Sequence, residues 1–184
     1  FNLTDNDINS LIAAFQDIDD NHVIFESIHL VDSSSIKYQA GEKLAELGSC
    51  NSCHFYGSTF PTGGPSTWAP NLAMSKDRLR ADWLIEWLKN PQEIMPGTKM
   101  PAPEVNFIQY YRDAVLDDQK NGTNYAKEEY GEALIEIYNS SDSTNVDMML
   151  EGIRDYIFSI EGIKDISPLV QDYFEQKSKE VEEE

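Results

Sequence analysis

Apolar positions along the chain recur mostly at helical spacing. Ile8, Leu11, Ile12, Phe15 and Ile18 share one stripe behind Thr4, and Asp7 lies three positions after that threonine, so a capped amphipathic helix is predicted there. The stretch 17–35, with Asp-Asp-Asn and three successive serines, loses the period and reads as a linker. A second helix is predicted from about Ile36 to Leu47, with Gly48 suited to a left-handed stop. Between Cys53 and Lys76 the chain is dense in Gly, Pro, Ser and Thr. That predicts a long loop shaped by something other than its own hydrogen bonds, and loops of such length generally serve a site.

Leu79, Trp83, Trp87 and Leu88 mark a short helix closed by Asn90-Pro91, after which a Pro- and Gly-bearing loop runs to Pro103. Helices at about 105–119 and 125–138 flank Asn121-Gly122-Thr123-Asn124. The last clear helix runs from about Val146 to Ile160 and has Leu150, Ile153, Tyr156 and Ile157 on its apolar side, with Met148 and Met149 as core fillers. The charged end, 175–184, predicts a frayed tail. No convincing strand period occurs, so the fold class expected is all-α.

Charge narrows the partners. Lys+Arg 14 against Asp+Glu 33 leaves −19, a field that repels phosphate backbones and anionic headgroups. Nucleic acid is not expected, whereas a protein with a basic or mixed-charge surface is. The apolar runs fall short of the roughly 20 residues of a membrane span, so no membrane insertion by this segment is expected. The residues from Phe1 have neither the basic nor the apolar region of a secretory leader, which leaves the compartment open.

Two cysteines three positions apart cannot staple a scaffold, so their role is local. In Cys50-Asn51-Ser52-Cys53-His54 two thiols one helical turn apart can reach the vinyl groups of one porphyrin, and the next imidazole can bind its iron. A redox dithiol and half a zinc site are the competing readings. Zinc needs four ligands, and His22 and His29 precede the pair at no recognisable spacing, as ordinary solvated or hydrogen-bonded imidazoles would.

With this motif, the helix Gly41–Ser49, the segment Ala69-Pro70-Asn71-Leu72 and the loop Pro96-Gly97-Thr98-Lys99-Met100-Pro101 follow in an order that resembles the class I c-type cytochromes. The likeness covers about 36–101 and 146–160. It implies a cytochrome c fold over 36–165, with an inserted helical hairpin at about 104–143. Residues 1–35 would be an extra N-terminal helix and linker, and 166–184 an acidic tail. It also implies one covalent haem c on Cys50 and Cys53, with His54 as the proximal ligand and the Pro70 carbonyl accepting from its ring. Met100 would be the axial methionine that raises the potential; Met95 is its main competitor, and Met74 lacks the surrounding pattern.

Trp83 and Trp87, one turn apart, read first as core, with a haem propionate as the alternative acceptor for an indole N–H, which keeps Trp83 among the cofactor contacts. Tyr156 is expected where the first and last helices cross. The inserted hairpin would cover the haem edge, pack on the body or form a partner surface. The stretch 1–18 resembles the family's own terminal helix, with Ile12 and Phe15 matching Ile153 and Tyr156. Two readings follow: the end of an upstream haem domain in the same chain, or an accessory helix.

The function implied is electron transfer between a redox donor and acceptor, not enzymatic catalysis, in a periplasmic or otherwise exported compartment. A haem domain with an open sixth position, acting as a peroxidase-like enzyme or gas sensor, is the alternative. A docking module is a third reading.

Overall fold

The structure, a computed structural model, describes residues 3–18, 29–140 and 146–182. They are all-α. Among them no strand forms, and extended pairing is limited to two isolated bridges, His54 with Ala69 and Tyr56 with Thr59. The chain divides into two compact units, Phe1–Leu30 and Val31–Glu184. His22 and most of the expected linker lie outside the described residues.

In the first unit α1 spans Asp5–Ile18. Its start is the predicted cap. The Asp7 amide donates to Thr4 Oγ1 at 3.3 Å, while the Thr4 amide and hydroxyl donate to the Asp7 carboxylate at 2.9 and 2.6 Å. Leu3, Ile8, Leu11, Ile12 and Phe15 are all exposed.

The second unit is organised by the crossing of α2 (Ile36–Leu47) with α9 (Asp147–Ser159). The Ser35 side chain caps α2 by accepting from the Tyr38 amide at 3.2 Å. Gly41 meets Gly152 at the crossing, where a Cβ on Gly41 would lie 1.9 Å from the Gly152 carbonyl oxygen. Only two glycines let the backbones come this close. Tyr156 flanks the contact as expected, its ring 6.2 Å from that of Tyr38 and 6.4 Å from that of Tyr56. Ser159 Oγ donates to the Tyr38 hydroxyl at 3.2 Å, and Lys37 pairs with Glu151. Gly48 is not the left-handed residue: it keeps φ −70°, and the reversal falls on Ser49 at φ 53°.

Leu72, Leu84 and Leu88 join Leu44, Leu150 and Ile153 in the core. Leu72 belongs to a short turn that leads into α3 (Ser75–Arg78). Leu84 and Leu88 are the buried positions of α4 (Ala81–Lys89), which is followed by α5 (Pro91–Ile94) where a plain loop was expected. A proline starts that single turn because its missing N–H is one of the unpaired first-turn donors anyway.

The stretch expected to be inserted forms α6 (Glu104–Asn121), α7 (Tyr125–Tyr130) and α8 (Glu132–Ser140), three helices where two were expected. Gly131, at φ +83°, divides the second. Val115, Ala126, Leu134 and Ile137 are buried in the same core as α2 and α9, so this stretch packs against those helices. The charged end is not frayed over its described part either: α10 runs Ser167–Glu182. Tyr173 and Phe174 anchor it against Trp68 at ring separations of 5.1 and 5.9 Å.

Candidate functional site

Cys50, Asn51 and Ser52 form a 3-10 turn that follows α2 after Gly48 and Ser49. The Cys53 and His54 amides both donate to the Cys50 carbonyl, at 3.3 and 3.0 Å, so the five-residue motif is wound into one turn with both thiols on it. Cys50 and Cys53 are not joined to each other. Burial, the largest cause, pushes the Cys50 thiol up to about 11. A redox dithiol needs its attacking sulfur in the opposite condition, with a lowered pKa.

The following loop is sewn onto this turn. Ala69 N donates to the Cys53 carbonyl at 2.8 Å, Leu72 N to Phe55 at 2.9 Å, and Thr62 N and Gly63 N to Asn51 and Ser52 at 3.0 Å each. The loop is thus shaped largely by the motif itself. These bonds bring the Pro70 carbonyl to 2.7 Å from His54 Nδ1. A carbonyl can only accept, so Nδ1 carries the ring proton and Nε2 of the neutral ring keeps its lone pair. Burial holds His54 below the usual imidazole range, with the Pro70 bond acting the other way. A neutral ring is the form that binds a metal.

Asn71 was not singled out in the sequence, yet it is 3 % exposed and binds three segments. Its Oδ1 accepts from Gly57 N at 3.0 Å and Ala73 N at 3.1 Å; its Nδ2 donates to the Ile163 carbonyl at 2.8 Å. Ala73 lies beyond Pro70, and Ile163 belongs to the segment after α9, so one side chain fixes the Pro70 stretch from two directions. A polar residue beside a proline in an otherwise apolar run was the available signal.

Met100 is half-buried, packs against the core and accepts a hydrogen bond on Sδ from Trp87 Nε1 at 2.9 Å. Trp87 was read as core with Trp83. It is indeed half-buried, but Trp83 is 37 % exposed, its ring stacked on that of Trp87 at 5.3 Å and 15°. Trp83 is therefore a surface residue rather than a core one. Among the other methionines, Met95 is 59 % exposed, Met74 is half-buried and Met149 is buried. Gly97, at φ +92°, makes the turn that separates Met95 from Met100.

The site residues thus fall into two described groups, Cys50, Cys53, His54 and Pro70 in one, Met100, Trp87 and Trp83 in the other. A groove of about 590 Å³ borders Pro70, Asn71, Met74 and Arg78, but neither cysteine, His54 nor Met100 lines it. Among the described residues no three His, Cys, Asp or Glu side chains gather as a metal-ion site, so the usual zinc ligand set is not assembled there. None of the described helices is long and apolar enough to cross a membrane. No protein-family model, curated protein or solved structure matches the chain.

Proposed function

We propose that this chain is a c-type cytochrome of the cytochrome c fold, an electron-transfer protein that holds one haem c covalently on Cys50 and Cys53 with His54 and Met100 as axial ligands. The observation that carries this reading is the one-turn motif with His54 Nδ1 bonded to the Pro70 carbonyl. The donor set fits the group: two thiols one turn apart for thioether links, a neutral imidazole with Nε2 available, and a thioether sulfur held inside. Haem supplies reversible one-electron exchange between ferrous and ferric iron.

The rest is done by the chain. Pro70 fixes the tautomer and aim of His54 and, by drawing on its N–H, strengthens the ring as a donor. Trp87 fixes Met100. A thioether sulfur has two lone pairs, and the indole N–H takes one and leaves the other for a metal. Burial and this bond favour Met100 over the exposed Met95. Two strong axial ligands need no open position and no general base, in keeping with electron transfer between protein partners rather than catalysis. Because thioether attachment takes place on the exported side of the membrane in this family, the reading carries with it a periplasmic or otherwise exported site.

Optical spectra of the purified, matured protein test it. Reduced thioether-haem bands and the weak red band of methionine ligation are expected, with the red band lost in Met100→Ala and kept in Met95→Ala. Haem without that band would favour an open position and the enzyme or gas-sensor reading. Absence of haem after competent maturation would overturn the reading.

A further inference from the structure

Resting on the haem reading above, we propose that α10 is a positioning element for the proximal histidine. Through Trp68, Tyr173 and Phe174 hold the Ala69-Pro70 stretch so that the Pro70 carbonyl stays on His54 Nδ1. An aromatic cluster brackets the His54–Pro70 pair. Phe55, which follows His54 directly, is 2 % exposed and lies 5.1 Å from Trp68 and 5.2 Å from Phe60, ring to ring. Trp68 stands two residues before Pro70, its Nε1 donating to the Gly63 carbonyl at 3.0 Å and its backbone leading into the Ala69 amide that donates to Cys53.

The outer side of this cluster is built by α10. Tyr173 lies 5.6 Å from Phe60 and 5.1 Å from Trp68, and Phe174 lies 5.9 Å from Trp68. Such pairs act through shape and ring edges, so losing one ring frees its neighbours to rotate. Trp68 and Phe60 are only half-buried even with α10 in place. The segment that carries the Pro70 carbonyl is thereby braced on one side by the cysteine motif and on the other by α10.

The consequence falls on the iron's donor. A shorter, better aimed N–H to carbonyl bond makes imidazole a stronger donor and favours the ferric state; slack in the loop weakens it and favours the ferrous state. A purely structural role for α10 would lower stability and leave that balance alone.

The test uses the full-length, haem-loaded protein and three uncharged substitutions, so that long-range electrostatics stay constant. In Tyr173→Ala the His/Met spectrum is expected to persist and the reduction potential to rise. The expected rise corresponds to about a threefold change in the electron-exchange equilibrium, or about 30 mV at 59 mV per tenfold for one electron. Exchange of the His54 Nδ1 proton with solvent, followed by NMR in the reduced state, should quicken. Tyr173→Phe keeps the ring and should change neither. Val115→Ala, in the core at α6, should lower stability without moving either readout.

Should Tyr173→Ala fail to mature, Tyr173→Leu carries the same expectation. A Tyr173 variant that loses stability as Val115→Ala does, with potential and proton exchange unmoved, overturns the proposal and leaves the haem reading standing. A chain that takes up no haem overturns both, and the spectrum alone shows which has failed.

Discussion

Asn71 and Trp87 each act through side-chain hydrogen bonds that geometry makes hard to replace. Removing the Asn71 carboxamide would strand the Gly57 and Ala73 amides in a buried place and take the donor from the part-buried Ile163 carbonyl. Buried groups left unpaired cost about 1–3 kcal/mol each, partly recovered by water, so Asn71→Ala is expected to lose about 2–4 kcal/mol in urea unfolding. Asn71→Asp keeps the acceptor and loses the donor, and should fall between the two. Trp87→Phe removes the N–H from the Met100 sulfur while keeping a ring against Trp83. Under the proposed haem ligation, a donor withdraws density from the Met100 sulfur and weakens it toward ferric iron, so loss of the donor is expected to lower the reduction potential. The bond's net worth of about 1 kcal/mol limits the shift to about 40 mV by the one-electron conversion. Potentiometry showing no change would mean that the indole only fills space. Cys50, Cys53 and His54 were recognisable as candidates in the sequence because they lie within five positions of one another. Asn71 was not, because its partners sit up to 92 positions away.

At the scale of elements, the α2–α9 contact depends on two absent side chains. A Cβ at Gly152 would lie 2.4 Å from the Lys37 carbonyl oxygen, and backbone cannot step aside as a flexible side chain can. Gly152→Ala is therefore expected to cost at least about 3 kcal/mol, above the usual range of overpacking. The urea midpoint should fall with an unchanged slope if the rest of the fold survives. A drop under about 1 kcal/mol would show that the helices can part cheaply. The helices α2, α4 and α9 were readable because each has a full apolar stripe and a local stop. The single turns α3 and α5 offer too few positions for a period to register. The break at Gly131 lies inside a continuous apolar pattern, so periodicity ran through it. The end of the chain misled for another reason: charge density describes its solvated face, whereas its order comes from Tyr173 and Phe174 meeting rings more than a hundred positions earlier.

For the molecule as a whole, the distribution of charge matters more than its total. Residues 31–103 hold seven of the 14 Lys and Arg and seven of the 33 Asp and Glu, so the entire −19 resides in 1–30 and 104–184. The stretch 31–103, which carries the proposed site, is neutral, and the stretches on either side of it in sequence are strongly acidic. What an approaching reagent feels then depends on how far charge reaches through salt, about 30 Å at 0.01 M ionic strength and about 8 Å at 0.15 M. At low salt the whole acidic field acts. Oxidation by anionic ferricyanide is expected to be slow and oxidation by a cationic cobalt complex fast, once the two are corrected for driving force. Raising the salt to 0.15 M should bring the rates closer together, because charges farther than about 8 Å are then largely screened. Stopped-flow oxidation of the reduced protein across this series measures the effect. A steep dependence persisting above 0.15 M would place acidic groups within one screening length of the point of electron exchange.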